Sequence, residues 1–229
     1  MMMGLEKKIA DQPVLRVTGD SSHTLYIPSL DEHYHSHFGA LTESKHIFIN
    51  AGLDYWQEET VSVLEVGFGT GLNALLTAIY AEEREKQVNY VTLEKYPLNK
   101  ELLNELNHGE MTGSRGKELF NAIHAAEWDT PVIISPWFTI HKKVFDLIAE
   151  RPEGSFDIIY FDAFGPDKQP EMWTPEVIAK IDAVTHAGSL FVTYSAKGSL
   201  KRMLKRYGFE VSLLPGPPGK RVMTRAVKK

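Results

Sequence analysis

The chain has 229 residues, a formal net charge of −5, 43% hydrophobic residues, 24% charged residues and no cysteine. These values are typical of a soluble globular protein, and the missing cysteines exclude disulfides, thiolate zinc sites and cysteine nucleophiles. No stretch is long and apolar enough to cross a membrane, and no signal-peptide core follows the first residues, so we expect a cytoplasmic protein.

The N-terminal segment is predicted to hold a β-hairpin and then a helix. Pro13–Val17 and Thr24–Ile27 are β-prone runs on either side of a TGDSS turn. Leu41–Ala51 has the apolar residues of a helix that packs inward. We expect residues 1–55 to form an extension packed on a catalytic domain of residues 56–229.

Three alternating histidines, His33, His35 and His37, raise the question of a metal site. In a strand, all three side chains would share one face. No fourth ligand is evident, and the neighbouring acids Asp31 and Glu32 are too close in sequence to complete a site. We therefore predict no metal, and polar loop residues that line a cleft.

The segment Val61–Asn73, VSVLEVGFGTGLN, is predicted to form a buried strand, a glycine turn and the start of a helix. Such a unit presents backbone N–H groups at a helix N-terminus, where a polar ligand binds. A second acid, Glu94, lies 23 residues after Gly71, at the end of the apolar run Val88–Leu93. An acid at that place accepts hydrogen bonds from ribose hydroxyls.

The spacing of the glycines distinguishes between cofactors. Dinucleotide-binding loops have G-x-G-x-x-G, whereas this chain has G-x-G-x-G preceded by Glu65. That acid is unfavourable beside a pyrophosphate and suits a ligand with an amino group or a sulfonium. The pattern E-x-G-x-G-x-G resembles motif I of the class I S-adenosylmethionine (SAM) methyltransferases; an ordinary strand-to-helix turn is the alternative.

The rest of the chain alternates strands and helices. Predicted strands are Phe138–Lys142, Phe156–Phe161, Ser189–Tyr194, Phe209–Leu214 and Arg221–Val227; predicted helices are Leu72–Arg84, Pro97–Leu106, Lys117–Trp128, Val144–Glu150, Thr174–Ala183 and Ser199–Tyr207; Thr130–Pro136 is a predicted connector. The last two strands form a hairpin. This α/β layout, a mostly parallel seven-stranded sheet with a C-terminal antiparallel hairpin, is that of a class I, Rossmann-like methyltransferase.

Asp162 follows the apolar run Phe156–Phe161, at the carboxyl end of a strand where open α/β sheets bind ligands. It is our candidate catalytic residue, with a loop or helix cap as the structural alternative. From Lys197 onwards the chain has ten Lys and Arg residues and one acid, Glu210. This basic field could dock phosphates, although a solvated helix face has the same composition.

Three blocks of sequence together resemble one family: Tyr34–Ile49, Leu64–Asn73 and Phe161–Trp173. They are similar to the MnmC-like methyltransferase domain, which methylates the exocyclic amine of 5-aminomethyl-2-thiouridine at the tRNA wobble position with SAM. The resemblance runs from about Tyr34 to the end of the chain. It implies roles in cofactor binding for Glu65, Gly67, Phe68, Gly69, Gly71, Asn73, Glu94 and Asp146. Phe145 replaces a glycine of the family beside that last residue.

The same resemblance implies a substrate site around Asp162. The residues expected there are Tyr34, Phe38, Glu43, Ser44, Phe164 and Trp173, and those expected to contact anticodon-stem phosphates are Lys168, Lys201 and Arg202. Trp173 is equally well explained by core packing. The bifunctional relatives add an FAD-dependent oxidase domain that this chain has no room for, so a separate oxidase would supply the aminomethyl substrate.

Two other functions remain open on the sequence alone. One is a SAM-dependent enzyme acting on a different amine, which would not depend on tRNA. The other is a non-catalytic SAM-fold module that binds RNA, in which Asp162 would be dispensable.

Overall fold

The computed structural model describes residues 12–229, which begin with a small antiparallel sheet. Its strands are β1 (Val14–Val17), β2 (His23–Ile27) and β3 (Glu32–His33). The predicted hairpin is confirmed, because β1 pairs antiparallel with β2. The carboxylate of Asp20 accepts hydrogen bonds from the backbone and the hydroxyl of Ser22 and so closes the turn. The first part of the predicted 1–55 extension, residues 1–11, lies outside the described residues.

A helical segment connects this small sheet to the central one. It consists of helix α1 (Ala40–Ser44), a π-helical stretch (Lys45–Asn50) and a 3-10 turn (Leu53–Tyr55). The helix predicted over 41–51 is thus present, but its hydrogen bonding changes halfway along. Phe48 is buried and packs on Tyr160, with 5.0 Å between the ring centroids. This contact fixes the segment to the central sheet.

Eight strands form the central sheet. They are β4 (Thr60–Val66), β5 (Gln87–Glu94), β6 (Pro131–Ser135), β7 (Phe138–Val144), β8 (Phe156–Phe161), β9 (Thr185–Thr193), β10 (Phe209–Pro215) and β11 (Val222–Lys228). Their order across the sheet is β10-β11-β9-β8-β4-β5-β7-β6. The five middle strands are parallel, whereas β6 and the β10–β11 hairpin are antiparallel to their neighbours. The predicted mostly parallel sheet with a terminal antiparallel hairpin is confirmed.

The sheet has one strand more than predicted, because the segment 130–136 is not a connector. Val132, Ile133 and Ile134 are β-branched and favour the edge strand β6, which pairs with β7. Pro131 is the first residue of that strand, a position that proline tolerates at the edge of a sheet. The two flanking prolines therefore bound the strand instead of excluding it.

The described residues contain seven α-helices. After α1 they are α2 (Leu72–Glu83), α3 (Lys100–Asn104), α4 (His108–Met111), α5 (Gly113–Ala125), α6 (Pro175–Asp182) and α7 (Gly198–Arg206). Thr174 caps α6, since its hydroxyl accepts a hydrogen bond from the backbone of Val177 at 3.3 Å. The helix predicted over 144–150 is wrong. Asp146 accepts there from the backbone of Ile148 at 3.0 Å, and this local bond stabilises a turn instead.

Both faces of the central sheet are covered by apolar clusters. Val63 of β4 packs in one cluster with Leu75 of α2, and the next residue, Leu64, packs in the other with Val177 of α6. Because both faces of β4 are buried, only its carboxyl end is open to a ligand. Among residues 12–229, no helix has the length and apolarity that a membrane-crossing segment needs.

Candidate active site

A pocket of about 350 Å³ opens at the carboxyl ends of β4, β5 and β8. Its other walls come from the segment 32–43 and from the turn between β10 and β11. It brings together predicted residues from distant parts of the sequence: Tyr34, Phe38, Glu43, Gly67, Phe68, Gly69, Glu94, Asp146, Asp162 and Phe164. The sequence blocks that predicted a site thus meet in one cavity.

The glycine loop passes very close to its neighbours on the pocket side. Gly67 has φ 92°, and a Cβ atom there would lie 2.8 Å from the carbonyl oxygen of Asp162. Gly69 has φ 50°, and a Cβ atom there would lie 2.9 Å from the ring of Tyr34. Only glycine accommodates both the left-handed backbone and this approach. The two glycines therefore leave space at the floor of the pocket that larger residues would fill.

Two histidines, one buried (His35) and one half-buried (His124), contact the loop through Thr70. The Nε2 atom of His35 lies 2.8 Å from the Thr70 hydroxyl, and the Nε2 atom of His124 lies 3.2 Å from the Thr70 carbonyl oxygen. Burial lowers the pKa of each histidine to about 4, so both imidazoles are neutral at physiological pH. His35 thus has a structural partner, and no metal-binding group of side chains is present in residues 12–229. No sequence pattern pointed to His124, which lies in the last turn of α5.

The carboxylate of Glu94 lines the pocket next to the loop. One oxygen accepts a hydrogen bond from the backbone of Gly69 at 3.0 Å, and the other accepts from the backbone of Tyr96 at 2.9 Å. Burial raises the pKa of Glu94, and these backbone donors oppose that shift. Farther along the same wall, Asp146 forms an ion pair with Lys95 at 2.9 Å.

The side-chain amide of Asn73 connects Asp162 to Glu65. The Nδ2 atom of Asn73 donates to Asp162 Oδ2 at 2.8 Å and to Glu65 Oε1 at 3.0 Å, and the hydroxyl of Thr92 donates to Glu65 Oε2 at 2.7 Å. Burial raises the pKa of Asp162 to about 7 and that of Glu65 to about 8. Asp162 lines the pocket, whereas Glu65 is fully buried beneath it.

Glu65, Gly71 and Asn73 were predicted to bind the cofactor. None of the three lines the pocket. Glu65 has no exposed surface, and its carboxylate accepts hydrogen bonds from Asn73 of α2 and Thr92 of β5. Its carboxylate therefore does not face a ligand directly, and Asn73 reaches the pocket only through Asp162.

Other predicted substrate residues lie outside the pocket. Ser44 and Trp173 are buried, and the indole of Trp173 donates to the carbonyl oxygen of Phe164 at 2.8 Å. Core packing, the alternative explanation, is thus correct for Trp173, which supports the pocket residue Phe164. Lys168 pairs with Asp31 at 3.5 Å, and Lys201 and Arg202 belong to α7, away from the lining.

Two further residues of the pocket wall, Tyr194 and Lys220, were not predicted from the sequence. The Lys220 ammonium pairs with the carboxylate of Glu43 and lies 4.1 Å from the centroid of the Tyr194 ring. Tyr194 directly follows the carboxyl end of β9, a position that signals a ligand-facing side chain. No comparable signal marked Lys220, because a turn between antiparallel strands reaches the site only through the folded sheet.

Comparison with known proteins agrees with this geometry. A family described as S-adenosyl-L-methionine-dependent methyltransferase matches residues 139–229. The chain is also 31% identical over 94% of its length to the tRNA 5-methylaminomethyl-2-thiouridine biosynthesis bifunctional protein MnmC of Cupriavidus necator. The family match identifies an S-adenosyl-L-methionine-dependent methyltransferase domain that includes residues 139–229. The MnmC protein of Marinomonas is 30% identical to this methyltransferase over 85% of the chain.

The methyltransferase spans about a third of the length of these curated relatives, 34% and 31% respectively. The crystal structure of MNMC2 from Aquifex aeolicus superimposes with a TM-score of 0.79 and 23% identity, and covers 100% of this chain and 76% of that one. This likeness confirms the class I fold with its terminal hairpin.

The cofactor of the methyltransferase is SAM, and the pocket residues fit it. The glycine loop provides a cradle that a Cβ atom at Gly67 or Gly69 would fill. The Glu94 carboxylate faces the pocket from the strand next to the loop, as an acceptor for ribose hydroxyls must. Aromatic and acidic side chains line the cavity, and such a lining suits a cationic sulfonium.

Proposed function

We propose that this chain transfers the methyl group of SAM to the aminomethyl nitrogen of 5-aminomethyl-2-thiouridine at the tRNA wobble position. The product would be 5-methylaminomethyl-2-thiouridine, the nucleoside in the name of the MnmC relatives. The observation that carries the proposal is the Asp162 carboxylate, which lines the pocket beside the glycine loop and is held there by Asn73.

In this proposal, the glycine loop and Glu94 would together hold the cofactor. Gly67, Phe68 and Gly69 line its cradle, and Glu94 accepts hydrogen bonds from the ribose. Asp146 and Phe145 line the same wall and would flank the adenine. Glu65, Gly71 and Asn73 would act from beneath, by shaping the loop and holding Asp162.

SAM supplies an electrophilic methyl group when it is bound. The acceptor is a primary amine, which is protonated at neutral pH and has no free lone pair until it loses a proton. We assign that proton to the Asp162 carboxylate, which is close to half ionised at neutral pH because burial raises its pKa to about 7. With SAM held by the glycine loop and Glu94, the pocket would align the amine nitrogen with the methyl group, and this alignment would supply the remaining acceleration.

The mouth of the pocket offers a place for an extruded base. The rings of Tyr34 and Phe164 line the pocket and make an edge-on contact, with 5.1 Å between their centroids. Phe38 is about half exposed on the same rim. Enzymes that modify bases often stack an extruded base on such rings. Glu43, which also lines the pocket, would face the aminomethyl group of that base.

The tRNA backbone would be bound outside the pocket. We propose phosphate contacts for Lys168 and for Lys201 and Arg202 of α7, which begins after the carboxyl end of β9. Contacts of this kind position a nucleic acid without reading its sequence. The enzyme would work in the cytoplasm, where its tRNA substrates are.

The proposal gives the N-terminal extension, residues 1–55, a part in the site of the catalytic domain, residues 56–229. Tyr34, Phe38 and Glu43 belong to the extension and line the pocket. Ser44, buried next to Glu43, would position that carboxylate. The aminomethyl group must be produced before it is methylated, and we propose that an oxidase outside these 229 residues supplies it.

The test is incubation of the purified protein with methyl-labelled SAM and total tRNA from cells that lack the gene, followed by nucleoside analysis. Labelled 5-methylaminomethyl-2-thiouridine, absent with Asp162→Asn, is the expected result. Methylation of a small amine without tRNA would support another amine substrate instead. SAM binding without transfer to any tRNA would overturn the proposal in favour of a non-catalytic RNA-binding module.

A further inference from the structure

An ion pair lies in the part of the pocket wall formed by α1 and the turn between β10 and β11. Glu43 of α1 is buried, and one of its carboxylate oxygens accepts from the backbone of Ser36 at 2.7 Å. The other oxygen pairs with the ammonium of Lys220. That ammonium lies over the ring of Tyr194, whose hydroxyl donates to the carbonyl oxygen of Ala163 at 2.7 Å. The ion pair is thus built into the wall beside Asp162, the residue that precedes Ala163.

The turn that contains Lys220 is also held by contacts that do not involve this ion pair. At one end of the turn, the Nε2 atom of His46 lies 2.8 Å from the carbonyl oxygen of Pro215. Next to Lys220, Gly219 packs so tightly on Phe38 that a Cβ atom would lie 2.1 Å from the ring. The Lys220 backbone N–H donates to Pro217 at 2.9 Å. These contacts hold the turn in place without the ion pair between Glu43 and Lys220.

We infer that Glu43 and Lys220 are positioning residues for Asp162, whose ionisation they set from opposite directions with their two charges. The inference rests on the proposed function, in which Asp162 accepts the proton of the acceptor amine. A negative charge near a carboxylate favours its protonated form, and a positive charge favours its ionised form. The two side chains therefore act as a matched pair that adjusts how much carboxylate is available at neutral pH.

The groups facing Asp162 come from every element around it. Burial has the largest effect on its pKa, which it raises; the amide of Asn73 and the ammonium of Lys220 lower it, and Glu43 raises it. Glu65 and Tyr90 lie beneath the pocket, and Tyr194 lies beside it; their own pKa values are raised partly by the Asp162 charge. Of these neighbours, only the ion pair offers two opposite charges that can be removed one at a time.

The experiment is an NMR titration of the Asp162 carboxyl carbon in cofactor-free protein labelled with ¹³C-aspartate, with Asp162→Asn to assign the signal. Lys220→Met should raise the midpoint by roughly one pH unit, and Glu43→Gln should lower it by a similar amount. The double variant should return close to the wild-type midpoint. Lys220→Arg keeps the positive charge, so its midpoint should also be close to that of the wild type.

A purely structural ion pair predicts a different pattern. Both single variants break the same contact, so both would move the midpoint in the same direction or not at all, and either result would overturn the inference. The matched control is Lys117→Met, which breaks an exposed ion pair with Glu110 outside the pocket and should leave the midpoint unchanged. A thermal unfolding curve of each variant shows whether that variant is folded at the temperature of the titration.

The titration needs neither tRNA nor SAM, which separates this inference from the proposed function. Opposite shifts in a protein that methylates no tRNA would preserve the inference about Asp162 and overturn the function. If the protein methylates tRNA but the Asp162 midpoint does not shift in the variants, the function would stand and the inference about Asp162 would be overturned. Where both hold, the acidic limb of the pH–rate profile should move with the midpoint in each variant.

Discussion

The Nδ2 atom of Asn73 lies 2.8 Å from Oδ2 of Asp162. Asn73 is the second residue of α2, directly after the glycine loop, and Asp162 directly follows β8. One hydrogen bond therefore joins the loop that would hold the cofactor to the carboxylate that would receive the proton. The same nitrogen also contacts Glu65, so the network continues into the buried core.

Replacing Asn73 should impair catalysis more than cofactor binding. Asn73→Ala removes the donor shared by Asp162 and Glu65, which leaves Asp162 poorly oriented and raises its pKa further. We expect kcat to fall at least about tenfold, SAM affinity to change little, and stability to drop by roughly 1.5–3 kcal/mol. Asn99→Ala, which removes an exposed helix cap, should cost about 1 kcal/mol and leave kcat unchanged. Equal kcat values for the two variants would contradict this role.

Methyl transfer should decline in acid with an apparent pKa near 7. Asp162 accepts a proton only when it is ionised, and burial raises its pKa to about 7, so activity should rise with pH through this value. Because the same amide also contacts Glu65, the observed value belongs to the coupled pair. The measurement is kcat/KM for tRNA between about pH 5 and pH 9. A flat profile below neutral pH would exclude Asp162 as the proton acceptor.

Gly67→Ala should weaken SAM binding, whereas Gly113→Ala should not. Both glycines have positive φ, but a Cβ atom at Gly67 would lie 2.8 Å from a backbone oxygen, while nothing lies within 4 Å at Gly113. The left-handed backbone alone costs about 1–2 kcal/mol in each variant. Calorimetric titration with SAM should therefore give a reduced affinity only for Gly67→Ala. Similar losses in both variants would mean that backbone strain, and not loop shape, governs binding.

Glu94→Gln should raise the Kd for SAM by roughly tenfold, the effect of losing about 1.4 kcal/mol of binding energy. One of the two backbone donors, from Gly69 or Tyr96, would then face an amide nitrogen that cannot accept its hydrogen bond. The surface change Glu110→Gln is the control. An unchanged Kd in Glu94→Gln would show that this carboxylate does not take part in cofactor binding.

The sequence predicted those parts of the site that depend on local patterns. The glycine spacing and the position of Asp162 after an apolar strand placed both at the carboxyl edge of the sheet, because parallel strands end together there. The role of Asn73 could not be predicted, since its contact with Asp162 joins residues that are 89 positions apart. Lys220 was missed for the same reason: its partner Glu43 is 177 positions away.

The errors in secondary structure have local causes. Pro131 and Pro136 suggested a connector, but prolines at the ends of an edge strand do not interrupt its hydrogen bonding. The segment after β7 has apolar residues at helical spacing, yet the Asp146 side chain bonds to nearby backbone and stabilises a turn. Trp173 could be assigned to the core only once its packing on Phe161, at 5.0 Å between ring centroids, was known.

The most direct test uses a synthetic anticodon stem-loop with a single 5-aminomethyl-2-thiouridine at the wobble position. The comparison stem-loop carries 2-thiouridine without the aminomethyl group. With SAM present, we predict that the first gains one methyl group on the side-chain nitrogen and that the second gains none. Methylation of both stem-loops, or of neither while SAM binds, would contradict the assignment of this pocket to the aminomethyl amine.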